Sequence, residues 1–117
     1  MHDEAAIEAL SALAQIDRLA AFRLLVRAGP EGLPSGEIAE RLGIAPTRMS
    51  FHLSTLERSG LVASRREGRR ILYAARFVEM GRLLAFLTAD CCGGNTAICG
   101  DVLALATRSC AEPEAAR

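Results

Sequence analysis

The sequence predicts one mainly α-helical domain that carries a small β-hairpin. Half of the 117 residues are apolar, and a chain of this length supports one compact core. Aromatic residues make up only 4% of the chain and Trp is absent, so the core must be built from Leu, Ile, Val, Ala and Met. Such side chains suit closely packed helices, whereas one short region has the pattern of two strands and a turn.

The first part of the chain is predicted to be helical. Between residues 4 and 27 apolar residues recur at helical spacing, which fits two helices or one bent helix. These residues are Ile7, Leu10, Leu13, Ala14, Leu19, Phe22, Leu25 and Val26. A cluster of helix breakers, AGPEGLPSG, follows at residues 28–36, after which Ser35 is expected to cap a short helix over residues 36–42. Ile38 and Leu42 should point inward from that helix, and Gly43 should end it.

The middle of the chain predicts a winged helix-turn-helix. A three-residue turn leads to a second helix over residues 46–59, with Pro46 in its first turn and Gly60 at its exit. Two helices joined so closely indicate a helix-turn-helix. The segment LVASRREGRRILYAA then predicts two short strands on either side of Glu67 and Gly68, a hairpin that forms the wing.

A last helix is predicted over residues 76–90, where apolar spacing becomes helical again. Its apolar side is formed by Phe77, Met80, Leu84, Leu87 and Cys91, with Leu83 beside them.

Charge is distributed unevenly although the net charge is zero. Residues 1–40 carry three Arg and seven acids, residues 41–76 carry eight Arg and two acids, and residues 77–117 carry three Arg and five acids. All 14 basic residues are Arg. The central excess of positive charge coincides with the predicted helix-turn-helix and hairpin, which indicates a nucleic-acid partner.

The second helix of the predicted helix-turn-helix has two distinct faces. At 100° per residue, Met49, Leu53 and Leu56 fall together and should enter the core. The opposite face presents hydroxyls, cations and Phe51, which offers a surface for a thymine methyl or a sugar edge. With the hairpin arginines, the candidate DNA-binding residues are Thr47, Arg48, Ser50, Phe51, His52, Ser54, Arg58, Arg65, Arg66, Arg69 and Arg70.

Two interpretations in which this helix does not bind DNA also fit the sequence. It could be an ordinary solvated helix with one exposed aromatic residue, or part of a winged helix that binds protein instead of DNA. His52 lies toward the inward edge, and we interpret it as a packing or phosphate-contact residue rather than a metal ligand, because no second His is near in sequence.

The N-terminal sequence argues against secretion and membrane insertion. Asp3, Glu4 and Glu8 stand where a secretory signal carries positive charge, and no stretch of 18 apolar residues is free of charge. The chain is therefore expected to be cytoplasmic. In a reducing cytosol its four cysteines are expected to be thiols or metal ligands rather than structural disulfides.

The central motifs resemble those of the ArsR/SmtB family of bacterial winged-helix repressors. The segment SFHLSTLERSGLV, followed by RREGRR, matches the family's Ser-x-His-Leu-x-x-Leu core, Gly-Leu-Val helix exit and Arg-x-Gly-Arg wing. The resemblance extends over roughly residues 5–92. It implies a homodimer built on the first and last helices, with Leu10, Leu84 and Leu87 as candidate interface residues. It also implies an operator with an inverted repeat, read by two recognition helices and released by an inducer.

The inducer must be inferred from the ligand-forming residues, because members of this family sense different ligands. One arsenic-sensing pattern places Cys-x-Cys at the first helix of the helix-turn-helix, where this chain has SGEIAERLG and no cysteine. Zinc-sensing relatives use Asp, His and Glu on the last helix, which here offers Glu79 and Asp90 but no His. Both of those sites are absent from this sequence.

The remaining candidates are the cysteines near the C-terminus. Three thiolates suit the pyramidal, three-coordinate geometry of As(III) or Sb(III), whereas tetrahedral Zn²⁺ needs a fourth ligand, which only Cys110 could supply. The arrangement CCGG followed by a third cysteine is also similar to a second group of arsenic-responsive repressors. That resemblance implies Cys91, Cys92 and Cys99 as the metal ligands and gives Cys110 no clear counterpart.

The local geometry of a continuous helix separates Cys91 and Cys92 by about 100°. Gly93 and Gly94 are expected to end the helix, so that Cys92 turns inward and Cys99 closes the site.

Three other roles are open to these cysteines. Buried cysteines can act as small apolar residues, and an oxidised pair can act as a redox switch. A thiol-dependent enzyme is disfavoured because Cys91 follows Asp90 at a helix C-terminus, where the helix dipole disfavours a thiolate.

These observations predict residues 1–92 to be a winged helix-turn-helix DNA-binding and dimerisation domain and residues 93–117 to be a cysteine-containing extension. The expected protein is not an enzyme. It is a transcriptional repressor that binds inverted-repeat operator DNA as a homodimer, uses no organic cofactor, and is released when As(III) or Sb(III) binds three cysteines. The alternative is a thiol–disulfide redox-sensing repressor of the same fold.

Overall fold

The computed structural model describes residues 1–89, 100–101 and 104–105. Within residues 1–89 it contains five helices and three short strands. In chain order these are α1 (Asp3–Leu13), α2 (Ile16–Ala28), β1 (Leu33–Pro34), α3 (Ser35–Leu42), α4 (Pro46–Arg58), β2 (Val62–Glu67), β3 (Arg70–Ala75) and α5 (Phe77–Thr88). The mainly helical class and the winged helix-turn-helix, formed by α3, α4 and the β2–β3 hairpin, are confirmed.

The chain divides into a compact unit over Met1–Phe86 and a second unit over Leu87–Arg117. The first unit holds the helix-turn-helix and the wing. The second contains the last residues of α5 and short helical pieces at 100–101 and 104–105. The predicted domain boundary at residue 92 lies outside the described residues.

Two separate helices form the N-terminal part of the fold. The break falls at Ala14 and Gln15, and Gln15 has extended backbone angles. The Gln15 side chain caps α2 by accepting a hydrogen bond of 2.9 Å from the backbone N–H of Arg18. The sequence allowed either two helices or one bent helix in this region. Because α2 begins with its own cap, the structure has two helices.

The buried side of α1 consists of alanines rather than of its large apolar residues. Ala6, Ala9 and Ala12 are all 3% exposed or less, whereas Ile7 and Leu10 lie on the exposed side. Small side chains let α1 lie close against the rest of the core. The larger apolar residues of this helix are therefore left outside the protomer's own core.

The start of α3 differs from the prediction. Ser35 is the first helical residue rather than the cap, and Pro34 occupies the capping position without a side-chain hydrogen bond. A tertiary contact explains this start, because Pro34 pairs with Leu72 of β3. The pairing keeps the chain extended up to the first residue of the helix. Gly43 ends α3 in the left-handed conformation, with φ of +66°, as predicted.

The core fixes the orientation of α4. Met49, Leu53 and Leu56 are completely buried, which confirms the inward face predicted from helical spacing. They join the other large buried side chains Leu25, Ile38, Leu61 and Val62. Because one face of α4 is anchored in this way, its opposite face must project outward.

The wing belongs to a three-stranded antiparallel sheet of order β1-β3-β2. The hairpin was predicted, but the two-residue strand β1 was not. Leu33 pairs with Tyr73, and just before it Gly32 adopts a φ of +75° and approaches the backbone carbonyl of Tyr73. A Cβ atom on Gly32 would lie 2.2 Å from that oxygen. The root of the wing thus depends on a close backbone contact that only glycine permits.

Tyr73, the sole tyrosine, gives the sheet a measurable alkaline signature. Burial, reinforced by the negative charge of Glu57, raises the pKa of its phenol above the ordinary value. The folded chain therefore keeps the phenolic proton at a pH where the unfolded chain loses it. The resulting contribution to stability is complete below about pH 10 and is lost as the pH rises through the folded-state pKa.

We expect phenolate absorbance to appear at higher pH in the folded protein than in urea. No lysine contributes to the pH dependence of stability in this range, because the chain has none. The Tyr73→Phe variant should lose less stability above about pH 10 than the parent protein does, measured by urea unfolding. Coincident phenol titrations of the folded and unfolded chains would contradict the shift.

Within the described ranges, no helix combines the length and the apolar character that a membrane span requires.

Candidate nucleic-acid interface

The outward face of α4 is a polar surface around one exposed aromatic ring. Phe51 is 72% exposed, and Thr47, Ser50 and Ser54 beside it are exposed as well. These four residues and Pro46 line a shallow depression of about 440 Å³. Hydroxyls that donate and accept hydrogen bonds, next to an apolar ring, form a surface that can contact base edges, a thymine methyl and phosphates.

The C-terminal end of this face is organised by short-range hydrogen bonds. The Arg58 guanidinium donates to Thr55 Oγ1 at 3.2 Å, and the Thr55 hydroxyl donates to the backbone carbonyl of Phe51 at 3.1 Å. Arg58 is thereby held along the exposed side of α4.

The N-terminal half of α4 is linked to α2 through Asp17. Arg48 Nη2 lies 3.0 Å from Asp17 Oδ2, and His52 Nε2 lies 3.5 Å from the same oxygen. The Arg48 side chain remains 64% exposed, whereas that of His52 is 16% exposed, which agrees with the predicted inward edge. Both predicted residues therefore share one carboxylate that the sequence motifs did not identify.

The pKa of Asp17 is lowered, chiefly by the hydrogen bond from Arg48. Burial acts in the opposite direction, and a hydrogen bond with Gln15 and the charges of Arg48 and His52 add to the lowering. Asp17 is therefore a carboxylate at neutral pH, and it places a negative charge beside α4.

Two of the four predicted wing arginines are engaged within the protein. Arg65 Nη2 donates to the backbone carbonyl of Glu31 at 2.9 Å, which ties β2 to the loop before β1. Arg70 Nη2 lies 3.4 Å from Glu67 Oε1, and Arg65 lies 4.0 Å from the same side chain. These contacts support the wing and partly neutralise its charge.

The other two wing arginines, Arg66 and Arg69, are exposed. Neither forms a side-chain hydrogen bond or an ion pair with any residue that the structure describes. Arg66 is in β2 and Arg69 is in the turn that follows Gly68. The uncompensated positive charge of the wing therefore lies at its tip.

The candidate interface residues Leu10, Leu84 and Leu87 are exposed on α1 and α5. The neighbouring Ile7 and Val78 are exposed too, while Leu83 is the buried residue of α5. Each of these two helices therefore turns large apolar side chains outward.

The predicted metal ligands Cys91, Cys92 and Cys99 lie outside the described residues, as do Cys110, Gly93 and Gly94. Among the residues that are described, no group of three His, Cys, Asp or Glu side chains could hold a metal ion.

The site residues that sequence reasoning missed are Asp17 and Glu31. Asp17 is separated from Arg48 by 31 residues, and Glu31 from Arg65 by 34. An acid in the first turn of a helix, such as Asp17 in α2, is commonly a helix-stabilising residue. No local feature of the sequence therefore identified Arg48 as its partner.

Comparison with known proteins places this architecture in a family. A family model described as a helix-turn-helix domain matches residues 13–65. The nodulation protein NolR of Rhizobium meliloti is 33% identical over 97 residues, which cover 81% of this chain and 76% of NolR. A probable mercury resistance operon repressor of Streptomyces lividans is 33% identical over 100 residues, which cover 78% of each protein.

A solved structure shows the same fold. The homodimeric winged helix-turn-helix DNA-binding domain from Mycobacterium bovis, a possible ArsR-family transcriptional regulator, superposes with a TM-score of 0.61 at 30% identity. The match covers 73% of this chain and 76% of that domain. The Streptomyces lividans relative is named as a probable repressor and the Mycobacterium bovis domain as a possible transcriptional regulator, which is the class expected from the sequence. The chain belongs to the ArsR family of winged-helix transcriptional regulators.

Proposed function

We propose that this protein is a metalloid-responsive transcriptional repressor. It binds operator DNA as a homodimer and is released when As(III) or Sb(III) binds Cys91, Cys92 and Cys99. The observation that carries the DNA-binding part is the joint exposure of the α4 face around Phe51 and of the unpaired wing cations Arg66 and Arg69.

The DNA surface uses two kinds of contact. The outward face of α4 enters the major groove, where Thr47, Ser50 and Phe51 meet base edges. The wing arginines contact the phosphate backbone, which supplies affinity but no sequence information. Because the charge is concentrated between residues 41 and 76, both kinds of contact fall on one segment of the chain.

Dimerisation uses the exposed apolar sides of α1 and α5, including Leu10, Leu84 and Leu87. The homodimeric state of the Mycobacterium bovis domain supports this arrangement. Two-fold symmetry doubles the DNA contacts and presents two recognition helices, so the operator is an inverted repeat.

The inducer is assigned from the chemistry of the cysteines. Thiolates select soft ions, and a set of three fits As(III) or Sb(III). The similarity to a probable mercury resistance operon repressor supports a thiophilic ligand. Cys110 is an accessory thiol in this proposal.

Release requires only a modest free energy of coupling. A tenfold loss of DNA affinity corresponds to about 1.4 kcal/mol between the ligand-binding and DNA-binding equilibria. The metalloid must bind the DNA-free state of the dimer more tightly by that amount.

The proposal is tested by binding to a duplex that the protein itself enriches from random-sequence DNA. We expect an inverted repeat, and an affinity that falls steeply as salt is raised, because phosphate contacts release counterions. A flat salt response, or failure to enrich any sequence, would contradict DNA-binding repression.

The inducer site is tested on the same protein–DNA complex by adding arsenite or antimonite in excess reductant. Cys91→Ser, Cys92→Ser and Cys99→Ser should each abolish release, whereas Cys110→Ser is the matched control and should release DNA as the parent does. Release from Cys99→Ser at the parent's arsenite concentration would exclude the three-thiol site. Release by peroxide in a parallel sample without reductant, but not by arsenite, would identify the redox-sensing alternative.

A further inference from the structure

We propose that Asp17 is a specificity-determining residue of the DNA-reading surface. Its carboxylate holds Arg48 in one orientation, so that this guanidinium reads a base edge instead of binding the nearest phosphate. The inference rests on the proposed DNA-binding function and adds a residue from outside the helix-turn-helix to it.

The carboxylate is fixed by its own helix. Asp17 lies in the first turn of α2, next to the capping residue Gln15, whose side-chain oxygen accepts from the backbone N–H of Arg18. The Asp17 side chain is only 22% exposed. The anion is therefore presented to α4 from a capped helix end rather than from a loop.

One oxygen of this carboxylate serves two residues of α4. Arg48 and His52 are four residues apart on one side of the helix, and both approach Asp17 Oδ2. His52 is mostly buried, so it anchors the carboxylate against α4, whereas Arg48 extends toward solvent. The arrangement positions the more exposed member of the pair.

Arg48 keeps most of its hydrogen-bonding capacity. Its contact with Asp17 is a single hydrogen bond from the terminal nitrogen Nη2, so four of the five N–H donors of the guanidinium remain for other partners. The ligand that fits the rest of this planar fork is the major-groove edge of guanine, with its O6 and N7 acceptors. Arg48 also lies near the N-terminus of α4, the part of a recognition helix that contacts bases.

The same carboxylate weakens indiscriminate binding. A negative charge beside the recognition helix repels the phosphate backbone, and a tethered Arg48 has fewer phosphates within reach. Removing Asp17 is therefore expected to raise the affinity for unrelated DNA. The ratio of specific affinity to unrelated affinity is expected to fall. A merely structural residue would lower both.

The test compares two probes, a duplex enriched from random-sequence DNA by the parent protein and a shuffled duplex of the same composition. Asp17→Asn is expected to bind the shuffled duplex about threefold more tightly and to lose about tenfold in the ratio of specific to shuffled affinity. Asp17→Ser, a second polar replacement, should behave in the same way. Thermal unfolding checks that both variants remain folded.

One control variant and one control background separate an effect on the orientation of Arg48 from an effect of net charge. Glu4→Gln removes the same charge from an exposed acid of α1 and should leave the ratio unchanged. In the Arg48→Ala background, Asp17→Asn should cause no further loss of discrimination, because the residue that it orients is gone.

An unchanged ratio in folded Asp17→Asn and Asp17→Ser would overturn the role of Asp17. A loss of discrimination that persists in the Arg48→Ala background would overturn it as well. In both cases the parent protein still prefers its enriched duplex, so the proposed function survives. A parent protein that discriminates no sequence would contradict the proposed function itself.

Discussion

Replacing Gly32 with Ala is expected to destabilise the fold by about 3 kcal/mol, a large part of the roughly 5–15 kcal/mol that stabilises a typical domain. Two effects add. A residue with a Cβ is disfavoured at the φ of +75° found here, and the Cβ would lie 2.2 Å from the carbonyl oxygen of Tyr73. The neighbouring atoms are backbone, so the β1–β3 pairing must shift to accommodate the methyl group. Urea unfolding of the two proteins measures the difference.

Two other glycines provide matched controls for this substitution. Gly43 has a φ of +66° but open space around its Cβ position, so Gly43→Ala should cost only the conformational penalty of about 1–2 kcal/mol. Gly36 lies in α3 without a positive φ or a close neighbour, and Gly36→Ala should be neutral or stabilising. If Gly32→Ala costs no more than Gly43→Ala, the close approach to Tyr73 does not constrain the wing.

Replacing Arg66 and Arg69 together with Gln is expected to lower operator affinity about a thousandfold. Four phosphate contacts are lost from a dimer, at about 1 kcal/mol each. The salt dependence should weaken as well, by about 3 to 4 units in the slope of log K against log salt. Titration of the enriched duplex at several salt concentrations measures both quantities.

The matched control removes two other exposed arginines, Arg23 and Arg27 of α2, which lie outside the α4 face and the wing. Arg23→Gln with Arg27→Gln changes the net charge equally and should affect affinity far less. Equal losses in the two double variants would mean that net charge, and not the wing tip, determines binding.

Local sequence patterns correctly predicted the buried side of α4 and the end of α3. The spacing of Met49, Leu53 and Leu56 predicted the buried side of α4 and thereby its exposed side. Gly43 marked the end of α3 through its backbone freedom. Strand β1 could not be predicted, because two residues within a cluster of helix breakers become a strand only by pairing with β3.

The buried side of α1 shows a different limit. Pattern reasoning followed its large apolar residues, but close helix packing selected Ala6, Ala9 and Ala12 for the core. The larger side chains on the other faces, such as Ile7, remained exposed. Apolar periodicity locates a helix, whereas the size of the gap between elements decides which of its faces is buried.

For the candidate interface, the sequence named the arginines of the wing but could not rank them. Arg65 and Arg70 differ from Arg66 and Arg69 only through their partners Glu31 and Glu67 in the folded chain. The link between Asp17 and Arg48 is equally invisible to local reasoning, because it joins two helices that are distant in sequence.

The residue types at the exposed wing tip determine which covalent modifications can remove its charge. Its cations are guanidinium groups, and the chain has no lysine that acetylation could neutralise. Methylation of arginine leaves the charge in place. We therefore expect control of DNA binding to come from the geometry that positions the wing rather than from acetylation or methylation of its cations.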